Sequence, residues 1–166
     1  LLSLAQLPQS AVVGEEIDVE ATLLQIQAAV IRGPDGINAL LSTRIAPILS
    51  TCATFYRDSG PSVTQAGPLL LTPFPGSNRL LRVIVHFVLW LRFSIADAPH
   101  DLQQLPSLTD ALYYSALECY IEHLISTKQV TLVASYACFL SQARRVQAYT
   151  KLLLSVPAIS SSTESE

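Results

Sequence analysis

The chain contains no methionine, one tryptophan and two lysines, and charged residues fill only 14% of its 166 positions. Each shortage excludes something. Ten cationic residues stand against thirteen acidic ones for a formal net charge of −3. The arginines are scattered apart from Arg144 and Arg145, so no basic stripe exists to follow a nucleic-acid backbone. The six glycines sit in turns, and none precedes a Lys-Ser or Lys-Thr pair at the spacing of a phosphate-cradling loop. The longest apolar run, Leu80 to Ile95, is interrupted by Arg82, His86 and Arg92. It is shorter than the ~20 residues a membrane-spanning helix needs, so it reads as a buried helix. Cys52, Cys119 and Cys138 are odd in number and lie inside apolar helical patterns, which points to buried free thiols in a reducing compartment. Leu1 is not an initiator and no charged leader opens the chain, so a fragment of a longer protein is expected.

Apolar residues are plentiful, at 50% of the sequence. A chain of this length can build one domain with a core, and folding removes roughly 70% of its unfolded surface. The apolar content exceeds what a lone domain of this size comfortably hides. The pattern suits a piece of a larger helical body whose ends are covered by neighbours.

Periodicity gives the architecture. Residues 1–13 begin apolar and meet Pro8, as the frayed end of a preceding helix would. A first helix is expected from Glu15 to Arg32, with Glu15, Glu16 and Asp18 against the positive end of its dipole and Gly33 closing it. Ile17, Ala21, Leu24, Ala28 and Ile31 form its seam. Gly33-Pro34-Asp35-Gly36 makes a turn in which Asp35 can cap the next helix. That second helix carries Ile37, Leu40, Leu41, Ile45, Ile48, Leu49, Cys52, Phe55 and Tyr56 on one face. Pro47 in its middle predicts a kink, or two shorter helices meeting near Ala46. The two helices would pack as an antiparallel pair.

From Asp58 to Asn78, Gly60, Pro61, Gly67, Pro68, Pro73, Pro75 and Gly76 break every period, so a surface loop is expected. Leu69, Leu70, Leu71 and Phe74 within it are suited to dock on the body or on a partner. A central third helix follows over about Arg79 to Ile95, apolar except for the stripe Arg79, Arg82 and His86. After a connection through Pro99 and Pro106, Thr109 and Asp110 look like a helix start. Three striped segments then succeed one another: Ala116, Leu117, Tyr120, Leu124 and Ile125; Val133, Tyr136 and Leu140; Val146, Tyr149, Leu153 and Val156. Only Thr127, Lys128 and their neighbours separate the first two, which must therefore form a helical hairpin. Ser141 is placed to cap the last helix and Pro157 to end it. The tail Ser160 to Glu166 has nothing to bury.

The fold expected is all-α: antiparallel helical hairpins stacked as an α-solenoid fragment of about six helices. Its divisions are a first helical pair (1–57), a Pro/Gly-rich loop (58–78), a central helix with a three-helix stack (79–156) and a disordered tail (157–166).

Few constellations suggest chemistry. Cys119 and His123 are four apart on one helix, beside Glu118 and Glu122, a spacing that suits two metal ligands. A zinc site needs two more, and His86, His100 and Cys138 could supply them only by a coincidence of folding. No cysteine lies in a local signature of a thiol nucleophile. Tyr113, Tyr114, Tyr120, Tyr136 and Tyr149 read as packing residues, with a partner interface as the other use of tyrosine. Arg144 and Arg145 read as a solvated face. No catalytic, cofactor-binding or metal residue is assigned, and no interface residue is named.

The segment Leu80-Leu81-Arg82-Val83-Ile84-Val85-His86-Phe87-Val88-Leu89-Trp90-Leu91-Arg92-Phe93 resembles a late helix of the scaffold nucleoporins of the Y-shaped nuclear pore subcomplex, the vertebrate one-hundred-and-seven and yeast eighty-four family. Tyr120-Ile121-Glu122-His123-Leu124-Ile125, Val133-Ala134-Ser135-Tyr136-Ala137-Cys138-Phe139-Leu140, and Ala148-Tyr149 before Leu152-Leu153-Leu154-Ser155-Val156 resemble its following three helices. Ile31-Arg32-Gly33-Pro34-Asp35-Gly36-Ile37 is similar to its earlier inter-helix turn. The resemblance covers nearly the whole chain. It implies an internal slice of the second half of such a scaffold, at the nuclear pore and peripheral to the nuclear envelope. The partners implied are other Y-complex nucleoporins met end to end, with no enzymatic activity, cofactor, small-molecule substrate or direct nucleic-acid contact. Its role would be to hold those neighbours in support of protein and RNA transport. The alternatives are a vesicle-coat or tethering α-solenoid and, from another class, an all-α enzyme or ligand-binding bundle. The last predicts that Arg82, His86, Glu122 and His123 converge inside the helices.

Overall fold

A computed structural model describes residues 19–58, 76–96 and 105–155. The expectations for residues 1–13, for most of the Pro/Gly-rich loop and for the C-terminal tail fall outside these. Among the described residues the fold is all-α without a strand. The helices are α1 (Val19–Ile31), α2 (residues 34–58), α3 (Ser77–Ala96), α4 (Asp110–Ser126), α5 (Val130–Ala137) and α6 (Gln142–Ser155).

The turn between α1 and α2 is built on two glycines with different duties. Gly33 adopts φ 76°, a left-handed conformation that costs an L-residue strain, and caps α2 with Pro34 at the first helical position. Asp35, expected as the cap, lies inside the first turn, where its charge faces the helix dipole. Gly36 lies against α1, and a Cβ there would stand 2.7 Å from the Ala29 carbonyl oxygen and 2.6 Å from Arg32 Cβ. The absent side chain is what lets the two helices approach.

Helix α2 runs Pro34–Leu40, then one π turn, Leu41–Ile45, then Ala46–Asp58. The interruption expected near Ala46 takes the form of this π turn: a new α-helical segment starts at Ala46, one residue before Pro47, which has no amide to donate. Ala46 N–H reaches back to the Leu41 carbonyl, and the hydroxyls of Ser42 and Thr43 donate to the carbonyls of Asn38 and Ala39 at 2.9 and 2.7 Å.

Helix α4 begins as its sequence suggests, with Thr109 Oγ1 accepting from Leu112 N–H at 3.1 Å. It ends in a Schellman turn: Gln129 N–H donates to the Leu124 carbonyl at 2.9 Å and Lys128 N–H to the Ile125 carbonyl at 3.0 Å. Lys128 holds φ 58° there, where glycine would normally stand. The turn sends α5 back along α4, so Tyr136 meets Tyr120 edge-on at 4.8 Å and the Tyr113 hydroxyl reaches the Phe139 carbonyl at 3.4 Å.

Helices α2, α3, α5 and α6 all pack on α4, while α1 lies outside, against α2 and α3. Leu112, Tyr113, Ala116, Leu117, Cys119, Tyr120, Ile121, His123, Leu124 and Ile125 of α4 are buried. The core is continuous from Ala29 to Leu152, so the first helical pair and the later stack share one interior. On α3 the outer stripe is longer than its sequence suggests. Trp90 and Phe93 extend the line of Arg79, Arg82 and His86 and are 51% and 56% exposed.

Two substitutions test these turns by urea unfolding. Gly36→Ala is expected to destabilise by about 1–3 kcal/mol, because the new methyl group meets backbone that cannot move aside. Lys128→Gly is expected to stabilise by about 0.5–1 kcal/mol, by relieving left-handed strain at a small entropic cost.

Candidate functional site

The residues an enzyme reading would bring together are kept apart. Arg82 and His86 lie on the exposed stripe of α3, Glu122 turns to α6, and His123 is buried in α4. Among the described residues no three of His, Cys, Asp and Glu gather as a metal site would require. His100 lies outside the described residues. Cys119 Sγ donates to the Leu49 carbonyl at 3.6 Å rather than facing a ligand site. Burial, with Cys119 nearby, pushes the Cys52 thiol up to about 12, and burial pushes Cys119 to about 12 as well. Both are therefore protonated and unreactive at neutral pH. Cys138, expected inside, is exposed at the end of α5, with Sγ donating to the Ser135 carbonyl at 2.8 Å.

A polar chain crosses from α3 to α4. His86 Nδ1 lies 2.6 Å from the Arg82 carbonyl, and a carbonyl can only accept, so Nδ1 carries the proton. Nε2 then accepts from the Tyr136 hydroxyl at 3.1 Å. Burial raises the Tyr136 pKa, which keeps that donor protonated. Tyr136 abuts Tyr120, and Tyr120 stacks on His123 with centroids 6.3 Å apart. The chain ties three helices together, with both ring nitrogens of His86 engaged in hydrogen bonds.

Charges serve the same end. Arg92 pairs with Asp110 at 2.9 Å and lies over the Tyr113 ring, fastening α3 to the start of α4. Arg144 pairs with Glu118 while covering Tyr114, and Lys151 pairs with Glu122, so α6 is fastened to α4 at two levels. These pairs are partly exposed and worth at most about 1 kcal/mol each, so they orient helices more than they stabilise them. Arg145 is exposed, as its sequence suggests, yet it also has a structural partner. Its guanidinium donates to the carbonyls of Ala137, Cys138 and Leu140 at 2.9 to 3.2 Å and closes the end of α5.

Several of the residues facing outward on α6 are apolar. The expected inner face was Val146, Tyr149, Leu153 and Val156, but the buried residues are Ala148 and Leu152. Val146, Leu153 and Leu154 are 60%, 72% and 81% exposed, with Tyr149 beside them. The ion pairs of Arg144 and Lys151 set this rotation by holding the 144/148/151 side of the helix against α4. An apolar outer face on a helix stacked at the edge of a body is a surface for another helix. None of the described helices is long and apolar enough to cross a membrane.

Stacked hairpins around a shared core, with an open apolar edge, define among the described residues a helical scaffold of the α-solenoid type. Residues 38–164 match the family described as nuclear pore protein 84 / 107, and the chain belongs to that family. It is thus a scaffold nucleoporin of the nuclear pore complex, where it associates with other nucleoporins. No curated protein and no solved structure matches the chain.

His123 gives the site a pH dependence. It is 5% exposed, its Nδ1 has no hydrogen-bond partner, and desolvation lowers its pKa below 6.5. The unfolded chain takes up this proton first as pH falls, so stability is full above about 6.5 and declines below it. The expected decline is at most about 1.4 kcal/mol per pH unit, the limit for one proton. Urea unfolding between about pH 7.5 and pH 5.5, where carboxylates remain ionised, should show this decline, and His123→Leu should flatten it.

Proposed function

We propose that this nucleoporin is a scaffold subunit of the Y-shaped outer-ring subcomplex, where it joins neighbouring nucleoporins through end-to-end helical contacts. The outer face of α6 carries the reading. Val146, Leu153 and Leu154 present branched apolar side chains to solvent on the last described helix, while the opposite side of that helix is held to α4 by ion pairs. A helix fixed in rotation with its apolar side outward is prepared to accept a neighbouring helix without rearranging. Support of protein and RNA transport would then be mechanical, with the stack holding partners at a set distance and curve. The residues on either side of the Pro/Gly-rich loop act as one body in this role, because α2 and α3 share the core around α4.

The test is affinity purification of the tagged full-length protein from its own cells, with mass spectrometry of what accompanies it. Near-equal recovery of other Y-subcomplex nucleoporins is expected from the unaltered protein. The double substitution Leu153→Asp and Leu154→Asp should reduce that recovery severalfold with helical content unchanged, because each places a charge in an apolar contact. Recovery of vesicle-coat or tether subunits in place of nucleoporins would overturn the assignment to the Y subcomplex.

A further inference from the structure

A second apolar surface is built by α1 and α3. The two helices leave a groove of about 450 Å³ between them, walled by Leu23, Ile26, Val83, Phe87 and Trp90. Trp90 stacks on Phe87 at 6.0 Å, yet half of its surface remains open, and Leu23 is partly open as well. Large apolar side chains left to solvent along one groove mark a docking surface.

The polar rim selects what can dock there. Arg82 and His86 line the groove, and Arg79 precedes them on the same exposed stripe of α3. Both ring nitrogens of His86 are already engaged, with the Arg82 carbonyl and the Tyr136 hydroxyl. Arg92, further along the helix, is held by Asp110, whereas neither Arg79 nor Arg82 joins an ion pair among the described residues. Helix α3 has no acidic residue, and α1 has only Glu20, in its first turn. An apolar floor beside two guanidinium groups is complementary to apolar side chains flanked by carboxylates. A groove between two helices accepts a third, which presents its anchors at i, i+3 or i+4 and i+7. A second copy of this chain is a poor match. Its open apolar faces on α3, α5 and α6 belong to helices without an acidic residue, and α6 would bring Arg144, Arg145 and Lys151 toward Arg82.

We propose that the groove between α1 and α3 takes an amphipathic helix of another protein, with branched apolar side chains against Phe87 and Trp90 and glutamates or aspartates along the edge that meets Arg79 and Arg82. This contact is separate from the one assigned to the outer face of α6 and does not rest on membership of the Y-shaped subcomplex.

Photo-cross-linking of the full-length protein in its own cells tests the contact. With p-benzoylphenylalanine in place of Leu23 on the groove wall, the joined peptide is sequenced by mass spectrometry. The expected product is a segment of another protein with apolar residues at helical spacing and acidic residues beside them. Arg79→Glu with Arg82→Glu should lower its yield severalfold at equal expression, because both substitutions are on the surface and turn attraction into repulsion. A cross-link to a second copy, to another part of this chain or to a segment without acidic residues would overturn the proposal, as would an equal yield after the charge reversal or no cross-link at all. Trp90 is the only tryptophan of the chain and provides a second measurement. The recovered segment, synthesised without tryptophan, should move the emission of Trp90 to shorter wavelength when titrated into the purified chain, and a version with lysine at its acidic positions should bind severalfold more weakly. No shift with the acidic peptide, or equal binding of both, would likewise count against the acidic helix.

Discussion

Helix α4 can be buried only if apolar surface meets it from several directions at once, and the placement of the other helices follows from that requirement. Its ten buried residues spread over most of its circumference, so no single partner helix could cover them. Helices α2 and α6 take the side of Cys119, Glu118 and Glu122, while α3 and α5 take the side of Tyr113 and Tyr120. Polar groups that could not be removed from water are placed where each helix meets its neighbour's edge. Arg92, Arg144 and Lys151 all reach carboxylates on α4 there.

Enclosing one helix with four others has a cost in exposed surface. Each surrounding helix turns one face to α4 and must leave the opposite face to solvent or to another body. In α3 that outer face includes Trp90 and Phe93, and in α6 it includes Leu153 and Leu154. A self-contained domain would place charge at these positions. A scaffold built from successive hairpins uses them for its next contact, in keeping with the low charged fraction of the chain and with its membership of a nuclear pore scaffold family. The interior is correspondingly inert. Two thiols are held protonated, His123 is held toward its neutral form, and the hydroxyl of Tyr56 is buried without a partner.

Much of the fold was legible because it rests on local rules. The Thr109 cap, the Gly33-Pro34 turn and the hairpin at Thr127 and Lys128 each satisfy backbone groups within a few residues of themselves. The burial of Leu81, Ile84, Val85, Val88 and Leu91 on α3 follows from one dense apolar helix. The features that were not legible depend on what lies across the interface. Arg145 is exposed as its sequence suggests, but the carbonyls it closes belong to the end of a different helix and are not visible locally. Cys138 looked buried because its neighbours in sequence are apolar. Pro47 announced an interruption near Ala46, but nothing local announces that it takes the form of a π turn over Leu41–Ile45.

Helix α6 shows where the boundary falls. Its sequence carries two apolar stripes, one through Ala148 and Leu152 and one through Val146, Tyr149 and Leu153, and either could face a core at helical spacing. The second has the larger side chains, so hydrophobic periodicity favours it. The outcome was decided by Glu118 and Glu122 on α4, which hold Arg144 and Lys151 and so turn the smaller stripe inward. The sequence by itself determined that the chain is helical, where several of its described helices start and turn, and which family it belongs to, because caps, turns and periodicity act over a few residues. Only the tertiary structure decided which faces are inside and which are left to bind, because that depends on charges and surfaces brought together from distant parts of the chain.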